Sequence, residues 1–203
     1  MPAMRRLSTT LLTGALALAW LAPAPAQQQQ KGHTLYRVEL LVFRATTPPS
    51  GEDWSAAPGY RGFGGDPAAT TDVTGASAPG VVKVYGPDRY QLGGTAARLR
   101  TSGTYQPVAH AAWLQTATPW GRHVGISLAD LGVRAPELSG TVYLERGTLL
   151  HLGLDLRLGA APVYQLGELR RVKFNEKHYF DHPAFGAIAI VSPVTGAEAV
   201  TAD

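Results

Sequence analysis

Apolar and polar residues alternate through most of this chain at the period of two that a half-buried strand requires. The clearest case is Thr148 to Leu158. Leu150, Leu152, Leu154, Leu156 and Leu158 fall on one face, and His151, Gly153, Asp155 and Arg157 on the other. With Gly140 to Glu145 before it and a turn near Arg146-Gly147, this predicts an antiparallel hairpin with a wet outer face. Tyr36, Val38, Leu40 and Val42 alternate in the same way within Thr34 to Ala45. Leu41 and Phe43 add apolar residues to the second face, which predicts a central strand covered on both sides. Further strands are expected at Val81 to Tyr85, Tyr105 to Ala117, Val163 to Phe174 and Phe185 to Val191, with a short strand or loop edge at Gly121 to Leu128.

The helical period occurs once. Leu92, Ala96 and Leu99 recur at near-helical spacing in Gln91 to Arg100, and Ser102-Gly103 ends the run. Gly93-Gly94 weakens that helix by about 1 kcal/mol per glycine. Thr46 to Gly80 has no period. Its Pro, Gly, Ala, Thr and Asp content, with Trp54, Tyr60 and Phe63 scattered through it, predicts a long irregular loop. Seven or so strands in meander order and one helix imply an α+β fold. The expected form is a mainly antiparallel sheet, curled or barrel-like, with the helix packed across one face.

The N-terminus departs from this pattern. Arg5-Arg6 precedes an apolar run from Leu7 to Leu21, and Ala24-Pro25-Ala26 supplies small residues for cleavage. Residues 1–26 are therefore expected to be a cleaved signal peptide and 27–33 a flexible spacer. A single domain is expected over 34–193, with a loop insertion at 46–80 and a tail at 194–203. The expected mature chain has no transmembrane segment.

Composition narrows the chemistry. The chain of 203 residues carries a formal charge of +3, and Arg5 and Arg6 supply two of those charges. Nucleic-acid binding is not expected, since it needs clustered Lys and Arg. The chain has no Cys, so disulfides and thiol nucleophiles are excluded.

His178, Asp181 and His182 are metal-ligand types within five positions, but zinc needs three or four ligands converging at about 2 Å. Pro183 argues instead for a turn whose amides Asp181 bonds. No metal or cofactor is expected. No nucleophile elbow or phosphate loop is present. Glu39, Glu145, Asp155 and Glu168 are expected to be solvated strand residues. Binding chemistry is better supplied: aromatic faces suit sugars, and planar guanidinium groups pair with carboxylates. The candidate ligand-binding residues are Tyr105, His110, Arg170, Arg171, His178, Tyr179, Asp181 and His182. Trp113 is expected in the core.

Several segments share an order with one family. They are Leu35 to Phe43, then Arg98-Leu99 through Tyr105, His110, Trp113 and Gln115, then Gly140 to Leu158. Arg170-Arg171 and His178 to Gly186 follow. Together they resemble the CsiV family of peptidoglycan-binding periplasmic proteins. Val172-Lys173-Phe174-Asn175 and Lys177 depart from the family pattern. The resemblance implies a periplasmic, non-enzymatic protein of Gram-negative bacteria that binds peptidoglycan and supports wall assembly and cell shape. It also implies contact with a penicillin-binding synthase or its outer-membrane lipoprotein activator. Two other readings stand beside it: a protein-interaction module working through a strand edge or the long loop, and a small hydrolase or metalloenzyme.

Overall fold

The computed structural model describes residues 34–47, 51, 53–55, 80–161 and 163–194. The expected signal peptide, the spacer, nearly all of the tail and most of the 46–80 loop lie outside the described residues. Among those described there are ten strands and one α-helix. They form two mainly antiparallel sheets, and the α+β class holds.

The first sheet contains β1 (Leu35–Ala45), β2 (Val81–Tyr85), β3 (Tyr105–Thr116), β9 (Lys177–His182) and β10 (Phe185–Pro193), in the order β2-β3-β1-β10-β9. The second holds β4 (Thr118–Pro119), β5 (Ile126–Ser127), β6 (Leu138–Arg146), β7 (Leu150–Leu158) and β8 (Tyr164–Arg171). Its path is β4-β6-β7-β8, with β5 also on β6. The second sheet keeps the expected meander in β6, β7 and β8. The first does not: β10 returns to lie beside β1, so the first and last described strands pair. The β4–β6 pairing is parallel.

The inner faces meet in one core. Tyr36, Val38, Leu40 and Val42 from β1, Trp113 from β3 and Ala187, Ala189 and Val191 from β10 face the leucines of β7. Each fully buried leucine contributes roughly 1.5–3 kcal/mol by leaving water. The sheets also join at their sides. Only Ala117 separates β3 from β4, and Arg170 on β8 donates to the carbonyl of Tyr179 on β9. The single curled sheet expected from the strand pattern is thus divided between two sheets.

The outer face of the first sheet is covered by α1 (Gly93–Ser102). Leu92, Ala96 and Leu99 pack on Leu41, Phe43, Ile188 and Ile190, which explains why β1 and β10 are apolar on both faces. Gly103 ends the helix in the left-handed conformation, φ +70°.

The segment expected as a turn around Asp181 is instead β9, paired with β10 from Lys177 to His182. The turn falls at Pro183-Ala184, where the Ala184 amide donates to Nδ1 of His182 at 3.1 Å. Asp181 is exposed and belongs to the strand.

Candidate functional site

Two strand carboxylates prove to be deeply buried, contrary to the expectation that they are solvated. Glu39 is 1 % exposed. It accepts the amides of Gln91 at 2.8 Å and Leu92 at 2.7 Å, just before α1 begins, and Nε2 of His110 at 2.8 Å. The guanidinium of Arg37 lies 3.8 Å away. Burial, the largest influence, pushes the Glu39 pKa up, but hydrogen bonds from His110, Leu92 and Gln91 and the nearby His110 charge outweigh it and hold it below the ordinary value. A short glycine-rich helix with no cap from its own first residue is thus fixed by an acid on a distant strand.

Glu145 is fully buried on β6. It accepts the amides of Gly121, at 3.0 Å, and His123, and stands 3.2 Å from Nδ1 of His123. Both carboxylates accept two backbone amides, and each pins a turn.

The structure does not gather the eight candidate residues in one place. His110 is engaged with Glu39 and lies against the Tyr90 ring at 4.1 Å. Tyr105 is exposed and meets Phe43 edge-on at 5.3 Å. Arg170 pairs with Glu168 at 2.7 Å and lies over the Phe180 ring, while Arg171 is exposed at the end of β8. Tyr179 and Asp181 are exposed on β9. His178 closes the preceding turn, its Nε2 lying 3.1 Å from the Lys173 nitrogen and 3.0 Å from its oxygen. His178 and His182 are four strand residues apart, about 13 Å at 3.3 Å per residue, too far to hold one ion between them. Among the described residues no group of three His, Asp or Glu is placed to bind a metal. Trp113 is core, as expected.

One candidate, His182, lies behind Tyr164, a lining residue of a cleft. The cleft, of about 420 Å³, opens where β1, β3 and the β6–β8 sheet end together. Arg44, Thr46, Gln106, Glu137, Leu158 and Tyr164 are among its lining residues. Arg44 donates from Nε and Nη2 to Oε1 of Gln106 at 3.1 and 2.7 Å, which fixes the guanidinium and leaves other N–H groups free for a ligand. The His182 ring lies 5.8 Å from Tyr164, 5.2 Å from Phe185 and 6.3 Å from Trp54. Ser55 bridges to Tyr164, so the described start of the long loop docks beside the cleft. Burial pushes the His182 pKa down, against a backbone hydrogen bond with Trp54 and the charge of Asp181, so its ring is held neutral more firmly than usual.

Neither Arg44 nor Tyr164 belongs to a motif. Arg44 follows the apolar run of β1, and Tyr164 opens β8; only tertiary closure brings them together.

The profile of one family, described as "Peptidoglycan-binding protein, CsiV", matches residues 11–194. The chain belongs to the CsiV family. No curated protein and no solved structure gives a significant match. The CsiV match spans every described strand and therefore both sheets, the helix and the cleft. No helix among the described residues is long and apolar enough to cross a membrane.

Proposed function

We propose that this CsiV-family protein binds peptidoglycan in the periplasm through the Arg44–Tyr164 cleft, as a non-catalytic accessory of wall assembly. The observation that carries this reading is that one cleft is lined by an arginine, a glutamate and a tyrosine. Arg44, oriented by Gln106, meets a carboxylate of a stem peptide. Exposed Glu137 meets its free amine, and Tyr164 offers a flat face to the chain between them. The volume is that of a small-ligand cleft. We read this as binding without bond-making, in which Glu39 and Glu145, each engaged by backbone amides, serve to pin turns.

Pull-down with purified sacculi tests the proposal. The chain is expected to sediment with the wall at physiological salt, and Arg44→Ala and Tyr164→Ala to weaken that binding by about tenfold each, near 1.4 kcal/mol. Retention that vanishes in moderate salt for the native chain and both variants alike would reduce it to non-specific charge attraction. Release of soluble wall fragments by the purified protein would refute the non-catalytic role.

A further inference from the structure

At the opposite end of β7 from the cleft, Trp120 is 51 % exposed. One side of its indole lies against the His151 ring at a centroid distance of 4.0 Å. The backbone beneath it is fixed three times. The Trp120 amide donates to the Arg146 carbonyl at 3.2 Å, and the amides of Gly121 and His123 donate to buried Glu145. A Cβ on Gly147 would stand 3.2 Å from Cβ of Trp120, so the hairpin turn lets the indole sit close against it. In the sheet register Glu145, His151 and Arg171 form one row across β6, β7 and β8, with His151 between the other two. Side chains directly opposite in such a row share a face. Glu145 is consumed by the loop, so the acid in that row is hidden while the cation Arg171 remains exposed.

We infer that Trp120 is a second, separate wall contact: a platform on which a pyranose ring of the glycan strand stacks. The inference rests on the peptidoglycan reading above but uses a different end of the molecule and a different part of the polymer. An immobilised indole presents its apolar face at little entropic cost. His151 backs the ring, and Arg171 beyond it supplies N–H donors for sugar hydroxyls or a lactyl carboxylate. Exposed Arg122 lies two residues along the chain from the indole, while Arg146 turns its guanidinium away to the Tyr36 hydroxyl. A lone exposed indole beside a ring and a cation suits a polar saccharide better than a protein hot spot, which needs a sealing rim. His151 and Leu158, the latter in the cleft, are seven steps apart along β7, about 23 Å at 3.3 Å per residue. One molecule would hold stem peptide at one end and glycan at the other, and the two contacts reinforce each other by avidity.

Two soluble probes separate the sites: peptide-free glycan strands prepared by amidase digestion, and free stem peptide. Affinities are measured for the native chain, Trp120→Ala, Trp120→Phe and Arg44→Ala, with circular dichroism confirming the fold of each. Trp120→Ala is expected to weaken glycan-strand binding roughly tenfold, with stem-peptide binding unchanged. Trp120→Phe should recover most of the loss, and Arg44→Ala should show the reverse selectivity. Glycan affinity that is unchanged in a folded Trp120→Ala chain overturns the inference and assigns the indole, with neighbouring Leu149, to a protein partner. Stem-peptide affinity that survives Arg44→Ala counts against the cleft alone and leaves the platform standing.

Discussion

Oε1 of Glu39 lies 2.8 Å from Nε2 of His110 and 2.7 Å from the Leu92 amide, so one buried oxygen joins two strands to the start of the helix. Its companion oxygen takes the Gln91 amide. Removing this carboxylate leaves three donors in a place water reaches poorly. Glu39→Ala is therefore expected to cost about 3 kcal/mol, while Glu39→Gln, which keeps an acceptor, costs less. Urea denaturation of both variants measures the difference; equal and negligible losses would show that the network contributes nothing to stability.

The same group sets an acid limit. Glu39 has a folded pKa below its ordinary 4.5. The unfolded chain therefore binds the proton first as pH falls. The stabilisation is complete above pH 4.5 and is lost as pH drops through the folded value. His182 acts earlier. Its folded pKa lies below 6.5, so the unfolded chain again takes the proton first, and stability declines from pH 6.5 down through the folded value. Melting temperatures followed downward from neutrality should show two successive losses. His182→Phe should remove the first and Glu39→Gln the second.

Gly140 fixes the close approach of β6 to β7. Its φ is +143°, and a Cβ there would lie 2.2 Å from the Asp155 carbonyl oxygen. That contact is with backbone, so no side chain can rotate away. Gly140→Ala is expected to destabilise by about 3 kcal/mol or more, through strain and overpacking together. Gly132, at φ +78° with nothing within 4 Å, should lose only about 1–2 kcal/mol as alanine. Thermal melts of the two variants side by side separate a steric requirement from a conformational one.

The sequence carries the strands well because their faces repeat every second residue. The five leucines of β7, the doubly apolar β1 and the short helix ended by Gly103 all follow from local periodicity. Pairing is less legible: nothing in the local pattern says that β10 returns to β1. Periodicity also fails at Glu39 and Glu145. Each occupies an outward strand position, and only a turn more than 20 residues away covers it. The β9 segment reads as a turn because His, Asp and Pro crowd it, but its alternation places Phe180 inward and Tyr179 outward, and pairing with β10 prevails. The cleft is least legible, since Arg44, Gln106, Glu137 and Tyr164 lie on four separate segments and share no spacing.

Backbone amide signals of the isotope-labelled chain, followed as a soluble disaccharide–stem-peptide fragment is added, test the central claim most directly. The account predicts saturable shifts at Thr46, Gln106, Glu137, Gly159 and Tyr164 around Arg44, and their loss in Arg44→Ala. A spectrum that does not change with the fragment, or shifts confined to the α1 face of the first sheet, would contradict it.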